Sequence, residues 1–558
     1  MSERPSGADL RGIIGSSDVR GVAGEELSAE VARALGAAFV DHLAEQAVDG
    51  AAPAVIVARD ARASSPELAA AVVAGAAARG ATVADAGPAS TDQLYCASGL
   101  HDAAGVMVTA SHNPPGDNGL KLCLPGARPV SHDTGLAAIG RRAERYLDEG
   151  SVPEVAGGRV QELDTLTDYV DTVLDLVPMP AARPLAVVVD AGHGMAGLTA
   201  PAVLGRLPGI TLRGLHLDLD GSFPAHPPNP LDPANLRGLR QAVREAGADL
   251  GLAFDGDADR CVVVDERGEV VTPSALTALI ATREIARMRA AGEERPVVIA
   301  NAVSSRHVAE AVREAGGEPL RSPVGHSLIK ALMAEHEAVF GGEHSAHYYF
   351  RDFFRADSGM LAALHVIAAL AGTDGPASAL VAAHDPYPSS GEINARPADP
   401  AAALARGRAV LEAIPGTEVD ELDGLSLVHW DEDAAPAERW WVSLRPSHTE
   451  KLLRLNVEAA EEDTMARIRD RVLEAIAEPE AADPEPVQSE PEPVEQAASA
   501  PSSVAELPRW VRERLRCPDC GGALVDAERA LRCTDCSRAH PVQDGIPVLI
   551  AGRTAPPA

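Results

Sequence analysis

Leu250-Gly251-Leu252-Ala253-Phe254-Asp255-Gly256-Asp257-Ala258-Asp259-Arg260-Cys261-Val262-Val263-Val264-Asp265 runs apolar, then acidic, then apolar again. Short uncharged runs bounded by turn signals read as buried strands, so Leu250–Phe254 and Cys261–Asp265 are strands joined by an acidic turn. The pattern repeats outward. Ala54–Ala58, Val106–Thr109, Leu185–Asp190 and Val297–Ala300 also read as strands, and Pro66–Arg79, Asn235–Ala246, Ser274–Ala290 and Ser305–Ala315 read as helices. Alternating strands and helices imply mostly parallel sheets with helices on their faces, an α/β fold. From about Gly391 the order changes. One strand and a helix precede strands near Leu425–His429, Trp440–Leu444 and Leu452–Glu458, and a helix Glu462–Ala477 closes a smaller α+β domain.

At 558 residues the chain exceeds one ordinary core, so several domains are expected. Its net charge of −33 argues against nucleic acid as a partner, while leaving room for local basic loops that bind phosphate. Met1–Gly12 has no apolar signal core and no run is long enough to span a membrane, so a cytoplasmic enzyme with no membrane partner is expected. Cys96, Cys123 and Cys261 are scattered and expected to be reduced and buried. Lysine stands only at 121, 330 and 451, and the other 46 basic residues are arginine. A lysine kept in that background hints at a place where a compact ammonium serves and a rigid fork does not.

Three carboxylates at alternate positions in the turn Asp255-Gly256-Asp257-Ala258-Asp259 repel one another unless a cation sits among them. Oxygen-only ligands favour a hard ion such as Mg²⁺. An EF-hand is excluded: Arg260 stands where its sharp-turn glycine belongs, and a strand follows instead of a helix. A second loop, Thr109-Ala110-Ser111-His112-Asn113-Pro114, follows an apolar strand, and its serine is expected to be presented rather than buried. Asp117-Asn118-Gly119-Leu120-Lys121 then adds an ammonium suited to phosphate. In Gly341-Gly342-Glu343-His344-Ser345-Ala346-His347, alternate polar side chains suit hydrogen bonds to sugar hydroxyls. Arg445-Pro446-Ser447-His448-Thr449-Glu450 offers an arginine and two hydroxyls for a phosphate cradle.

These four loops, in this order, together with Val188-Val189-Asp190-Ala191-Gly192-His193-Gly194-Met195-Ala196-Gly197, resemble the phosphomannomutase/phosphoglucomutase branch of the α-D-phosphohexomutase superfamily over roughly residues 8 to 478. The resemblance implies three related α/β domains and a fourth of different topology around a cleft. The expected ranges are 8–150, 160–265, 266–375 and 385–478. It implies that Ser111 is a phosphoserine and that Asp255, Asp257 and Asp259 hold Mg²⁺ with the serine's phosphate. Glu343, Ser345 and His347 would bind sugar. Arg445, Ser447, His448 and Thr449 would grip the phosphate that is not reacting. Arg20, Lys121, Arg260 and His347 would line the reacting end, with His112 beside the nucleophile. The implied reaction interconverts mannose 6-phosphate and mannose 1-phosphate through hexose 1,6-bisphosphate, which is also the activator, with glucose phosphates as further substrates. A catalytically idle sugar-phosphate sensor is the alternative. Three positions depart from the family pattern: Ser17 precedes Asp18-Val19-Arg20-Gly21 in place of tyrosine, Pro323 replaces a basic residue before Val324-Gly325-His326, and His448-Thr449-Glu450-Lys451 replaces Asn-Thr-Glu-Pro.

Residues 479–506 are acidic and proline-rich and read as a solvated linker. Beyond it, in 507–552, Cys517-Pro518-Asp519-Cys520 and Cys533-Thr534-Asp535-Cys536 have the spacing of a four-cysteine structural Zn²⁺ site, a zinc ribbon. The end of this segment resembles small zinc-ribbon proteins that activate methyltransferases, which implies a protein partner for the ribbon.

Overall fold

Each apolar run finds its neighbours in one of five sheets among the described residues. The structure, a computed structural model, describes residues 9–47, 52–180, 183–446 and 452–477, and in the tail 516–517, 520, 524–527, 530–543 and 546–547. They divide into two compact units, residues 1–478 and 479–558. The linker expected at 479–506 lies outside the described residues.

In the first sheet Ala54–Arg59 runs parallel to Thr82–Pro88 on one side and to Ala104–Val108 on the other. Asp117–Leu124 folds back antiparallel on Ala104–Val108, and Val19–Val22 pairs with its far edge. That pairing places Arg20 opposite Gly119, beside the loop that carries Ser111. The expected boundary at residue 160 needs correction. Arg159–Glu162 is a strand that pairs parallel with Thr82–Pro88 and therefore belongs to the first sheet. Its residues are all exposed and only Val160 is apolar, so no apolar run announces it.

The second sheet has the order Cys261–Asp265, Leu250–Phe254, Leu185–Asp190, Ile210–Leu215. Leu250–Phe254 and Cys261–Asp265 form an antiparallel hairpin, so the acidic turn sits at its tip. In the third sheet Val297–Asn301 lies between Glu318–Ser322 and Phe340–Gly342, and Tyr348–Phe350 and Ala356–Asp357 complete it. The second and third sheets share one apolar core, which the helix Gly359–Ala371 crosses with nearly every side chain buried. The fourth sheet is antiparallel throughout and packs its own core against Glu462–Ile476. Cys96, Cys123 and Cys261 are buried and free, as expected. Among the described residues no helix is long and apolar enough to cross a membrane.

The helices Ala29–Gln46 and Ser65–Ala78 cover one face of the first sheet and touch each other backbone to backbone. A Cβ on Gly75 would lie 2.0 Å from the Arg33 carbonyl oxygen, and one on Gly36 would lie 2.6 Å from that of Val72. Neither carbonyl can yield without moving its helix. Gly75→Ala should therefore destabilise the first domain by about 1–3 kcal/mol or more. Its thermal unfolding should begin at lower temperature than that of the parent chain.

Candidate active site

Ser111 lies just past the strand Ala104–Val108, where the sequence places it, but it is fully buried, 0% exposed. The expectation of a presented serine is therefore corrected. Locally the turn is built as expected: Ser111 has φ of +50°, and its amide donates to Thr109 Oγ1 at 2.8 Å. What encloses it comes from elsewhere in the chain. Arg62, itself 0% exposed, donates to the carbonyl oxygens of Ser111, Asn113, Pro114 and Asp117 at 2.5–3.0 Å. From the second sheet, Gly256 comes so near that a Cβ there would lie 2.5 Å from the Ser111 oxygen.

That approach brings the acidic turn to the hydroxyl. Ser111 Oγ donates to Asp255 Oδ2 at 2.7 Å. Asp255, Asp257 and Asp259 are all fully buried, and one oxygen from each lies within 4.8 Å of the others. Lys121 Nζ donates to Asp257 Oδ2 at 2.7 Å and to Asp259 Oδ2 at 2.5 Å. Asp257 Oδ1 and Asp259 Oδ1 are buried with no hydrogen-bond partner. Burial, together with the facing Asp259 and Asp257, pushes the Asp255 carboxyl well above the usual carboxylate range. Despite its burial, Asp259 is held below that range by Lys121 and His347. Two unpartnered oxygens in a buried all-carboxylate set are the donors that a hard divalent cation takes.

The remaining residues expected at the reacting end surround this pair of loops. Arg20 donates through Nη1 to the Ala110 carbonyl and is braced by Asp18 at 2.8 Å. Arg260 Nη2 donates to His112 Nδ1 at 2.7 Å, so that nitrogen is bare and the ring neutral. Burial, with Arg260 and Arg20 nearby, pushes His112 down to about 3. His112 Nδ1 also lies 3.3 Å from Ser111 Oγ. His347 Nε2 stands 3.8 Å from Asp259 Oδ1, and a backbone bridge joins His347 to Arg260. The structure thus brings Ser111, the three aspartates, Lys121, Arg20, His112, Arg260 and His347 to one place.

The loop Gly341–His347 reaches the same place through His347, whose Nδ1 pairs with Ser345 Oγ at 3.0 Å. Glu343 is 2% exposed and accepts from Tyr349 Oη at 2.6 Å, from the Gly325 amide at 3.2 Å and from Asn301 at 3.4 Å. Both of its oxygens are thereby engaged within the third domain. Arg445 donates to Asp423 Oδ2 at 3.0 Å and leaves its buried Nε without a hydrogen-bond partner. Its charge acts on His344 of the loop Gly341–His347, which burial holds below the ordinary histidine range. Ser447, His448 and Thr449 lie outside the described residues.

Sequence reasoning missed Arg62 and Thr91. Thr91 donates to Asp257 Oδ2 at 2.6 Å from the start of a helix in the first domain. An isolated arginine after a strand, or a threonine at a helix start, has no pattern of its own. Lysine scarcity was a better signal. Lys121 holds two of the aspartates, and Lys330, 3% exposed, pairs with Asp357 at 2.6 Å over the Tyr95 ring. In the tail unit, the sulfurs of Cys517, Cys520, Cys533 and Cys536 lie within 4.8 Å of one another. His540 Nε2 lies 3.3 Å from Cys517 Sγ. Antiparallel strands Leu524–Ala527, Ala530–Cys533 and Ala539–Gln543 frame them.

Comparison with known proteins matches four successive domains between residues 11 and 475. Models of the phosphoglucomutase/phosphomannomutase family match in order: alpha/beta/alpha domain I over residues 11–148, domain II over 167–268, domain III over 272–387 and the C-terminal domain over 392–475. A phosphomannomutase of Salmonella typhimurium is 37% identical over 465 residues, 82% of this chain and 97% of that protein. A Xanthomonas campestris protein named phosphohexose mutases is 40% identical over 444 residues, 79% of this chain and 93% of that one. The crystal structure of a phosphoglucomutase/phosphomannomutase family protein from Burkholderia thailandensis superposes with a TM-score of 0.72 at 32% identity, covering 83% of this chain and 97% of that one. With four family domains matched in order and relatives at 37–40% identity over most of its length, the chain belongs to the phosphoglucomutase/phosphomannomutase family.

Proposed function

We propose that this chain is a phosphomannomutase: it interconverts mannose 6-phosphate and mannose 1-phosphate through a phosphoserine at Ser111, and also accepts glucose phosphates. The observation that carries the reading is the Ser111 hydroxyl, 2.7 Å from Asp255, with Arg260 on that carboxylate, Lys121 on Asp259 and Arg20 on the Ala110 carbonyl. The naming of its relatives as phosphomannomutases agrees with it. Phosphoserine 111 gives its phosphoryl group to the free hydroxyl of the sugar phosphate: the Oγ–P bond breaks, a P–O bond forms to the oxygen on C1 or C6, and the proton that this oxygen loses ends on Ser111 Oγ. The hexose 1,6-bisphosphate turns over in the cleft, and the opposite phosphate returns to Ser111. Little covalent work falls to the protein beyond the serine, so position and charge carry the rate. Arg20 and Arg62 fix the serine loop by its carbonyls, and Lys121 and Arg260 bring positive charge to the phosphoryl oxygens. His112, neutral, occupies the wall without adding charge. Arg445, with Ser447, His448 and Thr449, takes the phosphate at the far end, and Glu343, Ser345 and His347 face the sugar.

The residues present fit Mg²⁺. Asp255, Asp257 and Asp259 would hold it, with an oxygen of the serine phosphate, and Asp257 Oδ1 and Asp259 Oδ1 are the donors left over. When bound it supplies charge that stabilises the transferring phosphoryl group.

In the tail, Cys517, Cys520, Cys533 and Cys536 would close a structural Zn²⁺ site, which supports folding and leaves no open position for chemistry. The ribbon's use is then recruitment of a protein partner, a methyltransferase-like protein being the first candidate.

Ser111→Ala should lower turnover of both sugars by about 10⁴-fold or more, the scale seen when a nucleophile is removed. A coupled mutase assay with unchanged circular dichroism checks it, and parent-like rates would end the mechanism. Chelation should stop the reaction, and added Mg²⁺ should restore it. Asp257→Ala should be as inactive and beyond rescue by the ion. A chain ending at Ala477 should keep the parent kcat, because the tail forms its own compact unit. Loss of activity on that truncation would show that the ribbon takes part in catalysis.

A further inference from the structure

A second cluster of metal-ligating side chains lies in the second domain, outside the serine site. Asp190 ends the strand Leu185–Asp190, His216 follows the neighbouring strand Ile210–Leu215, and His226 lies ten residues further on in the connecting segment. One oxygen of Asp190 and one ring nitrogen of each histidine lie within 4.8 Å of one another. Asp190 is 2% exposed, and the side chains of His216 and His226 are 32% and 19% exposed. The cluster is thus anchored in the core and open on one side.

The hydrogen bonds make this more than a chance meeting. His226 Nδ1 is 2.8 Å from the Pro227 carbonyl oxygen, which can only accept. The proton of the neutral ring is therefore on Nδ1. Its Nε2, 3.1 Å from Asp190 Oδ2, then points a lone pair at a carboxylate. His216 Nδ1 faces the other oxygen of the same carboxylate at 2.9 Å. Two remedies exist: a second proton on His226, or a cation shared by the three groups. A metal-binding histidine is commonly fixed by donating its other N–H to a backbone carbonyl, as His226 does to Pro227. At the rim, His193 is held in the same way, its Nδ1 3.0 Å from the Asp218 carbonyl, with its ring 5.1 Å from that of His216.

We infer that Asp190, His216 and His226 form a binding site for a divalent cation of the zinc class, separate from the carboxylate site for Mg²⁺. Two imidazoles and one carboxylate are borderline donors that select zinc over magnesium, whereas the three aspartates do the reverse. Three protein ligands with one open side leave a fourth position to water.

The location gives the site a consequence. Met195, five residues after Asp190, donates its amide to the Gly256 carbonyl at 3.0 Å, inside the acidic turn. The segment between the two histidines rests on the first domain: Gly221 lies so near that a Cβ would come within 2.2 Å of Arg62 Cα, and Phe223 lies 5.1 Å beneath the Arg62 guanidinium. A cation joining Asp190 to His216 and His226 therefore cross-links the two supports of the serine and aspartate loops without touching either loop's reacting groups.

The test uses the full chain, stripped of metal and then kept in excess Mg²⁺ so that the carboxylate site is occupied. Zinc is titrated against a chromophoric chelator, and Co²⁺ is used as a spectroscopic stand-in. The parent chain should bind one zinc more than His216→Ala or His226→Gln, or bind it at least about tenfold more tightly, tenfold being the lower range for loss of even an outer-shell partner. Cys520→Ser should weaken only the other zinc, the one attributed to the tail. With Co²⁺, His216→Ala should lose absorption that lacks thiolate charge-transfer character, and His216→Cys should restore binding and add such a band. All variants are partly exposed positions, and circular dichroism confirms the fold. Equal zinc stoichiometry and affinity in parent and both histidine variants would overturn the site and leave a protonated His226–Asp190 pair in its place. Failure of the mutase assay on Ser111→Ala bears on the proposed reaction alone and leaves this result standing.

Discussion

One buried guanidinium holds the loop of Ser111 in place. Arg62 has no exposed surface, pairs with Asp60 at 3.0 Å, and spends its remaining N–H groups on four carbonyls of the loop that carries Ser111. A buried charge is costly unless it is paired and hydrogen-bonded, and here every partner is fixed backbone or a carboxylate that is itself held by Ser65 and Thr109. Removing Arg62 would take one donor from each of four loop carbonyls and leave the Asp60 carboxylate with Ser65 and Thr109 but without its counter-charge, so the loop's shape depends on this guanidinium.

The serine loop and the aspartate turn come from different sheets, and glycine lets them meet. Gly256 touches the Ser111 carbonyl, and Gly194 comes within the reach of Gly256 itself, where a Cβ would lie 2.7 Å from its carbonyl oxygen. Three backbones are stacked with no side chain between them. Positive charge from Lys121 and Arg260 then offsets three carboxylates that burial alone would drive to protonate. Charge balance and close packing thus constrain the same few residues.

Much of this was legible beforehand. The apolar runs Leu185–Asp190, Leu250–Phe254 and Cys261–Asp265 coincide with strands to the residue, because a strand buried on both faces is an apolar run with sharp ends. The acidic turn was legible because like charges at alternate positions demand a cation. Arg159–Glu162 was not, since an exposed edge strand with a single apolar residue, Val160, has no such signature. The burial of Ser111 was hidden for a different reason. Local sequence describes the turn, while the enclosure comes from Arg62, 49 residues before it, and Asp255, 144 residues after it. Arg62 itself stood in an arginine-rich chain with nothing to mark it, whereas Lys121 was marked by rarity.

The left-handed backbone at Ser111 and its complete enclosure decide which agents can modify it. An enzyme that phosphorylates or dephosphorylates proteins must draw its target serine, on an extended peptide, into a cleft of its own. Ser111 offers no such peptide while the first and second domains are in contact. If Ser111 carries the phosphoryl group as proposed, its occupancy answers to molecules small enough to enter between the loops and not to enzymes that need an extended peptide, which ties the state of the serine to the supply of small phosphate esters.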